Sequence, residues 1–212
     1  MTSCQCQGIE DLFNDKTARR ELKRYRRKGS SGLTKHLIAF LEEQGVEGRS
    51  LLDIGGGIGA IQHELAERGA ASVTNVDASS SYLAACRDEA VQRGYAERAS
   101  YQHGDFTALA DEVEAADMVT LDRVLCCYDD VDALVSKSAA KARIWYAVIY
   151  PRTDWWMQLI KPIPNIFAWI TRSSMRFFLH STDHVDSLIR AAGLHIVHQE
   201  KRNVWQLVIY AR

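Results

Sequence analysis

The sequence carries almost no net charge: 26 Lys and Arg stand against 27 Asp and Glu, for a balance of −1. No global field therefore draws it to nucleic acid or to an anionic surface, and any such partner has to be met by a local patch. Long apolar runs are absent as well, none reaching the ~18 residues of a membrane-spanning helix, and Met1-Thr2-Ser3-Cys4-Gln5-Cys6-Gln7 lacks the apolar core of a signal peptide. Cysteine is scarce and unpatterned. Cys4, Cys6, Cys86, Cys126 and Cys127 are odd in number, and no second Cys or His pair follows Cys4-x-Cys6 at finger spacing, so neither a disulfide framework nor a metal site is expected. The vicinal Cys126 and Cys127 read as packing residues, since neighbouring cysteines rarely reach disulfide geometry without strain. Proline occurs three times, at Pro151, Pro162 and Pro164. What is left is one cytoplasmic domain of average globular composition, 47% hydrophobic and 25% charged.

The stretch Leu51-Leu52-Asp53-Ile54-Gly55-Gly56-Gly57-Ile58-Gly59 reads as a buried strand that ends in an acid and breaks into a glycine turn. The turn feeds a helix from about Ala60 to Arg68, stopped by Gly69. Such a junction suits a nucleotide-like ligand, because backbone N–H groups converge where no Cβ obstructs approach. The dinucleotide fingerprint needs a further glycine for close helix packing, and here Ala60 or Gln62 occupies that place. Asp53 is more decisive. A carboxylate at the strand end is a poor neighbour for a pyrophosphate and a good one for a cation.

Strands and helices alternate beyond this turn. Residues 72–77 form a strand ending in Asp77, 79–94 a helix, 100–103 a short strand before Gly104-Asp105-Phe106, and 117–122 a strand ending in Asp122. A helix over 130–141 and an almost continuously apolar strand over 144–150 follow. This order argues for an α/β doubly wound parallel sheet. A helix over 181–192, capped by Ser181 or Thr182, then leads to two strands, 194–199 and 204–210, joined by a short polar turn that suits an antiparallel hairpin. Ahead of the first strand, residues 10–28 look helical and strongly basic, and 33–43 form a second, amphipathic helix. The basic helix reads as a solvated cover over the pocket with Tyr25 turned inward, in preference to a nucleic-acid track.

The Asp-x-Gly-Gly-Gly-x-Gly order resembles motif I of the class I S-adenosylmethionine-dependent methyltransferases. The resemblance covers roughly residues 45–150 by motif and the rest by topology. It implies a Rossmann-like seven-stranded sheet in the order 3-2-1-4-5-7-6 with the last strand antiparallel, plus an N-terminal helical cap (1–44), a cofactor-binding core (45–150), a lid insertion (151–180) and a terminal helix and hairpin (181–212). It also implies that S-adenosylmethionine is the cofactor, held by Asp53, Gly55, Gly56, Gly57 and Gly59 on its methionine side. Asp77 and Ala78 would serve the ribose, and Asp105 and Phe106 the adenine. Asp122 and Arg123 would lie where the methionine end meets the substrate. Four carboxylates at the C-terminal ends of successive strands are consistent with this, because ligands of open α/β sheets bind there.

Residues 151–180 break the alternation and hold all three prolines, with Trp155, Trp156, Arg172 and Arg176 among an excess of aromatics and cations. They are expected either to pack on the sheet or to bind a large, flat, negatively charged acceptor by stacking and by arginine pairing. A Trp-rich cationic segment also suits a membrane interface, so peripheral contact through 155–179 stands as an alternative. The basic helix with Tyr25, the run from Asp122 to Tyr128 and the lid's end at His180 are similar to the magnesium-protoporphyrin IX methyltransferases, although Cys127 stands where that family commonly has a His. Candidate bases or orienters are His180, Tyr128 and Tyr25. The functional expectation is transfer of a methyl group to oxygen of a bulky aromatic or tetrapyrrole-like acid, by a monomer or a homodimer. The alternatives are a methyltransferase acting on nucleic acid or protein and a non-catalytic interaction module. No N/D-P-P-Y/F tetrad for amino-nitrogen targets follows the fourth strand.

Overall fold

A computed structural model describes residues 14–154 and 177–212. The lid residues Trp155, Trp156, Arg172 and Arg176, and with them the expected acceptor and membrane contacts, lie outside the described residues.

Two helices precede the sheet, α1 (Asp15–Lys28) and α2 (Leu33–Glu43). Then come β1 (Ser50–Ile54), α3 (Ala60–Glu67), β2 (Ser72–Asp77), α4 (Ser80–Gln92), β3 (Ala99–His103), the single-turn α5 (Phe106–Leu109), β4 (Ala116–Asp122), α6 (Val131–Ala140) and β5 (Ala142–Pro151). Beyond residue 177 come α7 (Thr182–Ala191), β6 (His195–Arg202) and β7 (Trp205–Ala211). The seven strands lie in the order β3-β2-β1-β4-β5-β7-β6. β7 runs antiparallel to both its neighbours while the β1–β5 pairings are parallel. This is the arrangement the motif resemblance implied.

Alternation along the strands sends successive side chains to opposite faces. Leu52, Val119, Leu121, Val148 and Tyr150 join Leu134, Val135, Val185 and Ile189 of α6 and α7 in one core. Leu51, Met118, Ala147 and Ile149 join Leu37, Ile38 and Leu41 of α2 and Leu65 of α3 in the other. Each fully buried aliphatic side chain contributes about 1.5–3 kcal/mol. Both faces of the sheet are therefore covered, which is why β5 reads as an almost continuous apolar run from Ile144 to Tyr150.

Three local expectations needed correction. The hairpin turn is tighter than the polar stretch suggested: Arg202 pairs with Trp205, and Asn203 takes the left-handed conformation (φ 54°) that Asn tolerates better than most residues. Ser181 occupies the N-cap of α7 without a side-chain capping bond, and the Thr182 hydroxyl instead accepts from Gln206 at 2.9 Å. The turn after β3 winds into α5 because Asp105 caps it, accepting from the Thr107 N–H at 2.9 Å.

Helix α1 lies apart from both cores. Ala18, Leu22 and Tyr25 recur at helical spacing and pack on Ile58 and Tyr82. Asn14 caps its start and Gly29 its end. Arg26 pins it to the body: the Arg26 guanidinium donates to the nearly buried Glu89 of α4 at 2.5 and 2.8 Å. Glu89 also accepts from Arg93, which reaches Glu67 on α3. The basic helix is thus a cover whose inward arginine is neutralised.

Candidate active site

A cavity of about 450 Å³ opens at the C-terminal ends of β1 to β4. Its walls include Asp53, Gly55, Gly56, Gly57, Asp77, Ala78, Asp105, Phe106, Asp122, Arg123, Tyr25 and Tyr128, so residues spread over a hundred positions of sequence meet in one place. Gly59 and His180 are not among the lining residues. Glu21, Arg24, Ser30, Ser31, Thr34 and Tyr82 line it too, without having been singled out as site residues from the sequence, and so does Cys127, the residue standing where the resembled family commonly has a His. The first five belong to α1, α2 and the loop between them, so the cover expected of the basic helix extends into α2 as well.

The glycine turn works differently from the sequence expectation. Gly55, Gly57 and Gly59 all have positive φ, 63°, 58° and 80°, which non-glycine residues adopt at a penalty. Their N–H groups do not converge on a ligand. Gly55 donates to the Val76 carbonyl at 2.7 Å, Gly57 to the Asp77 carboxylate at 2.9 Å and Gly59 to the Gly56 carbonyl at 2.9 Å. A pyrophosphate would find these donors already engaged. What the glycines provide is room. A Cβ on Gly56 would lie 2.6 Å from Asp53 Oδ2 and 2.8 Å from Asn75 Nδ2, and one on Gly55 would lie 2.5 Å from Val124.

Beneath the turn sits a buried polar layer. His63 is fully buried, and its Nε2 lies 2.7 Å from the Ile58 carbonyl, which can only accept, so Nε2 carries the proton. Nδ1 then accepts from the Tyr95 hydroxyl. Burial lowers the His63 pKa to about 4, keeping the ring neutral. Gln62 donates to Tyr101 at 3.0 Å and accepts from the Cys86 thiol at 3.6 Å. These residues hold the turn from below and face away from chemistry.

Asp53 is buried at 1% exposure. Its Oδ1 accepts from the Thr120 hydroxyl at 2.6 Å, while Oδ2 is buried without a partner among the described residues. Burial pushes its pKa up to about 7, with the charges of Asp122 and Asp77 adding to the effect and the Thr120 bond opposing it. A carboxylate oxygen left unpaired beside a cavity is costly unless a donor arrives. The ammonium of a bound amino-acid moiety is such a donor.

Asp77 joins two turns, accepting from Gly57 N–H at 2.9 Å and from Ser79 N–H at 2.8 Å. The Ala78 carbonyl accepts from His103 at 3.1 Å. Asp105 Oδ1 accepts from Thr107 and, at 2.6 Å, from the Tyr128 hydroxyl. Tyr128, expected as a base or orienter at the reacting end, thus has its hydroxyl committed to the Asp105 carboxylate. Asp122 accepts from Thr34 of α2 at 2.6 Å and from Arg123 at 2.9 Å, which ties the end of β4 to the helical cover.

His180 has another task than the one expected of it. Its Nε2 lies 3.0 Å from the Leu125 carbonyl and 2.7 Å from the Tyr128 carbonyl, so it donates there and brackets the turn after β4. The Phe178 N–H donates to the Cys126 carbonyl at 2.8 Å beside it. Tyr25 remains on the wall, its ring 5.8 Å from His63 and under the Arg93 guanidinium, and burial raises its hydroxyl pKa above the usual range. A group held protonated so firmly is a poor general base and a serviceable hydrogen-bond donor.

Comparison with known proteins agrees with this geometry. Residues 51–142 match the methyltransferase domain family. That stretch, a little under half of the chain, is matched as a methyltransferase domain. It is 30% identical over 145 residues to the ubiquinone biosynthesis O-methyltransferase of Idiomarina loihiensis, an alignment covering 65% of this chain and 58% of that protein. In fold it is similar to magnesium protoporphyrin IX methyltransferase from Synechocystis PCC 6803 with bound S-adenosylhomocysteine, at a TM-score of 0.72 and 19% identity over 96% of this chain and 98% of the other. An O-methyltransferase family protein from Burkholderia thailandensis superposes at a TM-score of 0.68 and 17% identity, covering 92% of this chain and 59% of that one. The methyltransferase domain fits its cofactor at the one place where the structure tests it, the orphaned Asp53 oxygen.

Proposed function

We propose that the protein transfers a methyl group from S-adenosylmethionine to an oxygen of a small, bulky aromatic acid. The observation that supports this most is the cavity in which four strand-end carboxylates, aromatic walls and two arginines meet. When bound, the cofactor supplies an electrophilic methyl carbon on a sulfonium. The chain's own residues then have four tasks. Asp53 accepts from the ammonium, Asp77 from the ribose hydroxyls, and Asp105 from the adenine amino group, with Phe106 against the ring. Helix α1, carrying Tyr25, excludes water from above. In-line displacement at carbon demands alignment more than acid–base chemistry, and positioning alone can supply several kcal/mol of barrier lowering. A carboxylate or an already ionised phenolate needs no base, which agrees with the hydrogen-bonded states of His180 and Tyr128.

Kinship to O-methyltransferases of aromatic molecules supports oxygen as the acceptor atom. The test has two steps. Calorimetry with S-adenosylmethionine should give a stoichiometric complex. A screen with methyl-labelled cofactor against aromatic hydroxy acids and tetrapyrroles should then transfer label to an oxygen. Binding without transfer to any member would refute the proposed acceptor class, and no binding would refute the enzyme reading altogether.

A further inference from the structure

Helix α1 has an inner face, used by the pocket, and an outer one with a different composition. Ala18, Leu22 and Tyr25 turn inward, while Lys16, Arg19, Arg20, Lys23 and Arg27 are all exposed. At about 100° per residue these five fall in one arc opposite the buried stripe, along a line about 16 Å long. None of their side chains enters an ion pair or a hydrogen bond among the described residues, in contrast to Arg26, which takes Glu89. The two acids of the helix lie elsewhere, Asp15 in the first turn and Glu21 on the cavity wall.

Such a face is costly to the helix that carries it. Lys16 and Arg20, Arg19 and Lys23, and Lys23 and Arg27 are like charges four residues apart, which repel one another. Lys16 also sits in the first turn, where a cation opposes the helix dipole. A merely solvated face mixes its signs and avoids both penalties. The segregation extends to the whole molecule. The helix holds eight Lys and Arg against two acids in a chain whose totals are 26 and 27, so the remainder is net acidic and the positive charge is gathered on one exposed rod.

We propose that the outer face of α1 docks the protein on an anionic lipid bilayer. A negatively charged membrane surface rewards the density of Lys and Arg near it and asks for no pattern of hydrogen bonds. A reader of nucleic-acid bases would set Asn, Gln or aromatic side chains among the cations, and the exposed arc has none. Because α1 packs on Ile58 and Tyr82 outside the two sheet cores, its outer face can meet a plane while the acidic body stays behind it. The choice of a bilayer rests in part on the acceptor class proposed above: a bulky aromatic molecule partitions toward lipid, and docking through α1 brings the cavity's roof at Tyr25, Gly29 and Ser30 close to that surface.

The probes are vesicles of equimolar phosphatidylglycerol and phosphatidylcholine, vesicles of phosphatidylcholine alone, and a short duplex RNA as competitor. The proteins are wild type, the single variants Lys16→Gln, Arg19→Gln, Arg20→Gln, Lys23→Gln and Arg27→Gln, and the variant combining all five. Glutamine is a good helix former and the positions are exposed, so helical content and cofactor Kd should not change. Wild type should float with the anionic vesicles and not with the neutral ones, and binding should fall steeply as salt is raised. Each single substitution should lower the partition coefficient roughly fivefold, and all five together about a hundredfold or more. Absence of wild-type binding to the anionic vesicles overturns the docking surface. So does equal binding to neutral vesicles, binding that survives the five substitutions, or displacement from the vesicles by duplex RNA at equal phosphate concentration. Flotation needs no turnover, so docking can fail while methyl transfer stands, and a failed acceptor screen leaves the flotation result unaffected.

Discussion

Replacing Asp53 with Asn should make the cofactor-free protein more stable at alkaline pH, although it removes a residue at the centre of the site. Asp53 is fully buried and its pKa is pushed up to about 7 from the ordinary 3.8. The folded state therefore keeps a proton that the unfolded chain releases. Between about pH 4 and pH 7 the native state binds more protons, and stability falls as pH rises. The contribution is intact below pH ~4 and lost above pH ~7. At about 1.4 kcal/mol per pH unit, a rise of roughly three units corresponds to about 4 kcal/mol, an upper bound because a charged group recruits water or relaxes. Asn keeps a carbonyl for the Thr120 hydroxyl and does not titrate. Urea unfolding of ligand-free wild type and Asp53→Asn should give similar stabilities at pH 4.5 and a gap of about 2–4 kcal/mol in favour of the variant at pH 8.5. In a domain of this size that is roughly 5–15 °C in Tm. Taking the difference between the two proteins cancels the other titrating groups. A gap that is the same at both pH values would show that Asp53 does not change protonation, and the reasoning would be wrong. The same substitution should weaken S-adenosylmethionine binding at pH 8, where a charged ammonium loses its buried counterion.

Three further outcomes follow from the geometry. Asp77→Ala should weaken cofactor binding at least tenfold by calorimetry and loosen the glycine turn that it clamps; unchanged affinity would mean that the ribose site lies elsewhere. Gly56→Ala places a Cβ 2.6 Å from Asp53 Oδ2 in a tightly packed layer, and it should lower unfolding free energy by about 1–3 kcal/mol, to be read from the urea midpoint at unchanged slope. His180→Asn retains a donor for the two carbonyls, so kcat should fall only modestly at unchanged cofactor Kd; a loss of a hundredfold or more in kcat in a folded variant would show His180 to take part in the chemistry after all.

The architecture was legible in the sequence because it is written locally. Alternating strands and helices, a glycine turn after Asp53 and a short polar link between the last two strands each sit within a few residues, and each appears where its pattern lies. The site was legible in position and less so in wiring. That Asp53, Asp77, Asp105 and Asp122 share a cavity follows from strand ends lying side by side. That Gly57 spends its N–H on Asp77, Thr34 its hydroxyl on Asp122 and Tyr128 its hydroxyl on Asp105 depends on partners 20, 88 and 23 residues away, and no periodicity encodes such pairings. His180 shows the same limit. A histidine near a pocket looks the same in sequence whether it accepts a substrate proton or ties two carbonyls together. The basic helix was legible as a cover over the pocket, but which of its residues besides Tyr25 reach the wall, Glu21 and Arg24, was not, because a helix charged on most of its faces does not show which side it leans on.

The position of β7 has a consequence for the chain while it is being made. The strand is last in sequence but interior in space, bonded to β5 on one side and β6 on the other. Until residues 205–211 leave the ribosome, β5 presents an open edge of Trp145, Tyr146, Val148, Ile149 and Tyr150. An unpaired apolar edge of that kind templates association with other chains. The sheet is completed from its middle, and a ribosome that stalls within the final hairpin would release a molecule with its cofactor pocket built and its most adhesive surface uncovered.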